Sequence, residues 1–139
     1  MITVRIFLDD ERFPVLKTSI GYEPDTDIWV ENTLNGQKIW NCSVSDIIIC
    51  RTVPSAMAVL TQYRDQITEI MFDNDLGEEL EGRHFAKMLV EWDMDELEAE
   101  RNGLSPNLKI SVHSQNVPAA QYIHDFMASY LKQKKKTKI

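Results

Sequence analysis

No uninterrupted apolar run in this sequence approaches the ~18–20 residues that cross a bilayer, so no transmembrane helix is expected. The opening stretch MITVRIFLDDERF carries charges early and has no long apolar core, which argues against a secretory signal. Cysteine is scarce. Cys42 and Cys50 neither pair closely with histidine, as in zinc sites, nor reach the density of a disulfide scaffold, so a reducing cytoplasm is the expected setting. Glycine and proline number five each, too few for a collagen-like or low-complexity chain. Basic residues are outnumbered, and the net charge of −7 argues against the broad basic face of a duplex-DNA binder. An acidic chain can still handle a phosphate, through a bound divalent cation.

What is present is a globular composition, 43% hydrophobic and 27% charged over 139 residues, which suits one domain. Four short near-apolar runs read as strands buried on both faces: Thr3 to Leu8, Asp46 to Arg51, Thr68 to Phe72 and Leu108 to Val112. Three amphipathic segments read as helices. Pro54 to about Asp65 carries Ala56, Val59, Leu60 and Tyr63 on one face, with Thr52 or Val53 at the N-cap. Gly82 to about Arg101 carries Phe85, Met88, Leu89 and Trp92, and its later turns, DMDELEAE, read as solvated. Pro118 to Leu131 carries Ala119, Ile123, Phe126, Met127 and Tyr130. These stripes are core faces rather than cofactor boxes.

The alternation predicts an α/β fold, a small, mostly parallel, doubly wound sheet in three layers with right-handed crossovers. Between the first two of these strands the pattern fails. Residues 13–45 hold Asn35-Gly36, a tight-turn signal between DIWVENTL and QKIWNCSV, so a hairpin or covering loop replaces the first crossover helix. Trp29 and Trp40 are expected to pack this insert on the body. The expected organisation is a single domain over 1–131 and a basic tail, KQKKKTKI, over 132–139. The tail reads as a frayed, solvated helix end; contact with RNA is the alternative.

Ligands of parallel α/β sheets bind beyond the carboxyl ends of the strands. Three of the four predicted strands end in polar residues: Asp9-Asp10-Glu11-Arg12, Asp73-Asn74-Asp75-Leu76-Gly77, and His113-Ser114-Gln115-Asn116. In a doubly wound sheet these three strands are adjacent, so their ends share one crevice. Carboxylates gathered there repel one another, and a divalent cation with hard oxygen ligands relieves this. Strand alternation points Asp9 and Asp10 in opposite directions, so two or three direct ligands are expected. His113 suits a general acid/base, a metal ligand or a phosphate donor, and Asn116 offers a neutral donor. Asn116-Val117-Pro118 equally reads as the start of a helix, so capping and ligand binding compete there. His84 and His124 lie within helices and receive no role.

The run IFLDDERFP resembles the start of a response-regulator receiver domain, with Asp9 and Asp10 in the place of its Mg²⁺-binding pair and Asp73 in the place of its phosphate acceptor. A receiver also needs a fifth strand ending in lysine, and no such strand remains here. The combination LDDER, FDNDLG and HSQN resembles more closely the cyclic-phosphate processing receiver-like family of bacterial and phage genomes. Asp9, Asp10, Asp73, Asp75, Gly77, His113, Ser114 and Asn116 match its pattern, and Asn74 departs where histidine is usual. The resemblance implies a metal-dependent phosphoesterase acting on 2′,3′-cyclic phosphate RNA ends or cyclic nucleotides. Mg²⁺ or Mn²⁺ would sit on Asp9, Asp10 and Asp73, His113 would move protons, and Ser114 and Asn116 would hold phosphate oxygens. Asp75 would orient His113 or complete the metal shell. Water attack is the expected route, because the receiver lysine is missing. The competing expectation is a non-catalytic, receiver-like module that binds a phosphate ligand or a protein partner.

Overall fold

The computed structural model describes residues 3–14, 28–77 and 79–137. The strands are β1 (Val4–Leu8), β2 (Trp29–Leu34), β3 (Gln37–Cys42), β4 (Ile47–Cys50), β5 (Ile67–Phe72) and β6 (Lys109–Val112). The helices are α1 (Val53–Tyr63), α2 (Gly82–Glu98) and α3 (Val117–Thr137), with one 3-10 turn over Arg64–Gln66. One sheet holds all six strands in the order β2-β3-β4-β1-β5-β6. β1 runs parallel to both β4 and β5, and β6 parallel to β5. This is the expected α/β arrangement, with the first strand at the centre of a mostly parallel, receiver- or flavodoxin-like sheet.

β2 and β3 pair antiparallel and extend the sheet past β4. Asn35 and Gly36 join them at φ of 50° and 77°, the left-handed pair that a two-residue hairpin turn requires. They occupy the later part of the expected insert; residues 15–27 of it lie outside the described residues.

The chain steps from β4 through α1 to β5, then through α2 to β6, moving the same way across the sheet each time. Right-handed crossovers therefore put α1 and α2 on one face. There Ile6, Leu8, Ile70 and Phe72 meet Val59 and Leu60 of α1, Phe85 and Leu89 of α2, and Ile123 and Met127 of α3. All ten side chains are fully buried. On the opposite face Phe7, Ile47 and Ile49 pack against Trp29, with Phe13, Trp40 and Met71 around them. Among the described residues this second face is lined by aromatic side chains of β2, β3 and Phe13 rather than by a helix, and both tryptophans pack there as expected.

Local signals set the helix starts. Thr52 is the N-cap of α1: its hydroxyl accepts the Ser55 N–H at 3.2 Å while Ser55 Oγ accepts the Thr52 N–H at 3.2 Å. Such a capping box satisfies two of the free N–H groups of a first turn. Val53 is thus the first helical residue and not the cap.

Two expectations need correction. The acidic run DMDELEAE is not all solvated, because Asp93 is fully buried and Glu96 nearly so. Asp93 accepts the Leu104 N–H at 2.6 Å, the Tyr130 hydroxyl, and Lys134 Nζ at 2.9 and 2.8 Å. Glu96 pairs with Arg64 and, at 2.8 Å, with Arg101. The basic tail, in turn, does not begin as a frayed end. α3 runs on to Thr137, past the expected end at Leu131, and Lys134 ties that extension to α2.

Both cysteines are free thiols; burial pushes Cys50 up to about 12, which makes it inert. No helix among the described residues is long and apolar enough to cross a membrane.

Candidate active site

Register brings the site together. Leu8 lies opposite Cys50 on β4 and Phe72 on β5, and Phe72 lies opposite Val112 on β6. One residue further along, Arg51, Asp9, Asp73 and His113 form a row across the tips of the four parallel strands. The ladder carries on into this row, with Asp9 N–H donating to Cys50 O at 3.1 Å, Asp73 N–H to Leu8 O at 2.9 Å and His113 N–H to Phe72 O at 2.8 Å. Side chains alternate along a strand, so these residues share a face with Phe7, Ile49 and Met71, the face away from the helices.

Asp9, Asp73 and His113 each offer a ligand atom, and the three atoms lie within 4.8 Å of one another. His113 stacks flat on Phe7, ring centroids 4.6 Å apart and planes 2° apart, and its Nε2 lies 3.1 Å from Asp9 Oδ2. The strand tips that the sequence nominated do converge, with His113 on the same side as both acids.

Arg12 completes the cluster. Its Nε donates to Asp9 Oδ2 at 2.8 Å, and one terminal nitrogen reaches Asp73 Oδ2 at 3.3 Å and the His113 carbonyl at 3.2 Å. The backbone N–H groups of Glu11 and Arg12 donate to Asp9 Oδ1 at 3.0 and 2.8 Å. Arg51, next in the row, donates to the carbonyls of Asp9, at 3.1 Å, and Arg12. Its guanidinium is held over the Phe13 and Trp40 rings, 4.8 and 5.3 Å from their centroids. Sequence reasoning assigned neither arginine a role, although the final residue of LDDER was the available signal for Arg12.

The two buried carboxylates are not equivalent. Burial alone would raise the Asp9 pKa, but the two backbone N–H bonds, the Arg12 guanidinium and His113 outweigh it and hold Asp9 below its usual value. Asp73 is raised, first by burial and then by the charge of Asp9, against which Arg12 and His113 compensate only in part. Burial lowers His113 despite both carboxylates, which favours the neutral imidazole.

The other nominated residues sit around this centre. Asp10 is exposed, beside Gly77, and is not one of the three converging groups. Asp75 is exposed, and its described hydrogen bond is from Asn74 at 3.3 Å rather than to His113. Ser114 Oγ accepts the Asn116 N–H at 3.1 Å, and Asn116 Oδ1 accepts the Ala119 N–H at 3.2 Å, so Asn116 caps α3. Asn74 is buried and staples the following loop: its amide donates to Glu81 Oε2 at 2.8 Å and accepts the Arg83 N–H at 3.2 Å. His84 accepts the Glu81 N–H at 2.8 Å as part of the α2 cap. Gly82 is required where it is, since a Cβ there would lie 2.0 Å from the Asp73 carbonyl oxygen. Between the first turns of α2 and α3 opens a groove of about 510 Å³, lined by Asn74, Glu81, Arg83, Lys87, Asn116 and Tyr122 among others.

A parallel sheet ordered around β1, with acids at the tips of β1 and β5, defines a receiver-like α/β domain. Residues 4–129 match the cyclic-phosphate processing receiver domain, and the chain belongs to that family. Neither the curated proteins nor the solved structures provide a match.

Proposed function

We propose that this protein is a metal-dependent phosphoesterase that opens cyclic phosphates, on RNA ends or free nucleotides, by attack of water. One observation carries this reading: Asp9, Asp73 and His113 bring their ligand atoms within 4.8 Å of one another in a family associated with cyclic phosphates. Two carboxylates and an imidazole suit Mg²⁺ or Mn²⁺. When bound, such an ion neutralises phosphate charge and acidifies water. Asp9 and Asp73 hold it, while exposed Asp10 stays outside the set. Burial favours the neutral form of His113, which takes a proton from water and returns it to the departing sugar oxygen, or lends a lone pair to the cation. The Ser114 hydroxyl and the Asn116 amide, just beyond the tip of β6, serve as donors to phosphate oxygens, and exposed Asp75 serves as an acceptor. The groove beside Asn74 and Asn116 has room for the nucleoside, with Tyr122 for the base and the Arg83 and Lys87 cations for a neighbouring phosphate.

Incubation with 2′,3′-cyclic mononucleotides and Mg²⁺ or Mn²⁺ tests this. Hydrolysis that needs the metal and is abolished by Asp73→Asn and by His113→Ala is the expected result. The competing reading, a module that binds phosphate without turnover, draws on the fact that Arg12 already neutralises the carboxylates. Metal-dependent thermal stabilisation with no product decides for the module.

A further inference from the structure

Arg12 occupies the lone pairs that a cation would use. Asp9 Oδ1 is taken by two backbone N–H groups, and Asp9 Oδ2 by Arg12 Nε, with His113 Nε2 3.1 Å from the same oxygen. The same guanidinium reaches Asp73 Oδ2, leaning on both acids of the converging trio and on the His113 carbonyl. A divalent ion at those oxygens competes with the guanidinium, since Arg12 already takes a lone pair on each and like charges repel at such range. The Arg12 backbone is fixed, by its own N–H on Asp9 and by Arg51 on its carbonyl. Its side chain, by contrast, is 46% exposed. Such a side chain can leave the carboxylates while its root stays at the mouth of the site.

We propose that Arg12 is a substrate-binding residue parked on the metal ligands, and that it moves onto the phosphate when both cation and phosphate bind. This rests on the phosphoesterase reading and adds to it an order of affinities. Phosphate draws the guanidinium off Asp9 and Asp73, and the cation then takes the freed oxygens. The planar fork of arginine suits two non-bridging phosphate oxygens, so the displaced group finds a partner as good as the one it left. The cation alone has to break those contacts without replacement. Metal and phosphate therefore bind with positive coupling, and each raises the affinity of the other by the same factor.

Calorimetric titration with Mn²⁺ alone, and with Mn²⁺ in saturating dimethyl phosphate, reads this without any turnover. Wild type is expected to bind Mn²⁺ weakly alone and several-fold more tightly with the diester. Arg12→Gln should bind Mn²⁺ alone about ten-fold more tightly than wild type and lose the enhancement. Arg12→Lys keeps a competing charge without the fork, so it should bind Mn²⁺ alone much as wild type does, with a smaller enhancement. It also controls for folding, alongside the circular dichroism spectrum of each variant. Equal Mn²⁺ affinity in wild type and Arg12→Gln, or an enhancement that survives the substitution, overturns the role of Arg12 and leaves the metal site standing. If neither protein binds Mn²⁺, the metal site itself is wrong and this inference falls with it.

Discussion

Asp93 and Asp73 are both buried aspartates, at opposite ends of the strands, and they differ in how many partners they have. Asp93 has a backbone N–H, a tyrosine hydroxyl and a lysine ammonium, and it joins α2 to α3 and to the loop before β6. Asp73 has one described partner, a half-exposed arginine at 3.3 Å, and a second carboxylate as a neighbour. Burial and charge alone do not separate an acid of the structural network from an acid of the candidate site. The first is saturated by groups that cannot leave. The second is held by a group that can.

The sharpest way to break this comparison is to remove Asp93. Asp93→Ala removes the carboxylate shared by the nearly buried Lys134 ammonium, the Tyr130 hydroxyl and the Leu104 N–H, and urea unfolding should show a loss of about 3–5 kcal/mol. Asp73→Asn should do the opposite to stability and more to function. The neutral amide removes a charge that the folded state disfavours, so stability holds or rises while Mn²⁺ binding is lost. Unfolding curves and titrations on the one variant check both halves.

Acidity sharpens the contrast further. Asp73 has its pKa raised, so its contribution to stability is complete below the unfolded value and declines as pH rises through the folded one. The advantage of Asp73→Asn over wild type should therefore be absent in acid and open as pH rises. Glu96 is lowered, chiefly by the hydrogen bond from Arg101 and then by the charges of Arg101 and Arg64. Its contribution is present above the unfolded value and lost as pH falls through the folded one, so the cost of Glu96→Gln should be present at neutrality and vanish in acid. Thermal unfolding across a pH series compares the two slopes. The smallest effect belongs to the tail. Lys135→Ala and Lys136→Ala, both at exposed positions, should change stability by less than about 0.5 kcal/mol in chemical denaturation.

The sequence made the parallel strands legible because each is a short apolar run, and their tips became legible with them. Asp9, Asp73 and His113 follow strands whose register the hydrophobic pattern largely dictates, so their convergence could be anticipated. Alternation already set Asp10 apart from Asp9, and Asp10 is exposed where Asp9 is buried. Arg12 and Arg51 were hidden for a different reason. Nothing in spacing says where a long loop side chain turns, and Arg51 enters the row only once Cys50 is known to lie opposite Leu8. The fate of DMDELEAE was hidden as well, because the groups that bury Asp93 and Glu96 include residues 41 and 32 positions away in the chain. An acidic run looks solvated until its cations are folded against it.

The aromatic side chains around Phe7 and the helical layer lie on opposite faces of one sheet, and the row of site residues belongs to the aromatic side. Packing strength and access to the strand tips therefore belong to opposite faces of the sheet. Trp40 supports the guanidinium of Arg51, which in turn grips the backbone beneath Asp9 and Arg12. Remodelling that aromatic wall would retune the doorway to the carboxylates while leaving the helices and their core untouched.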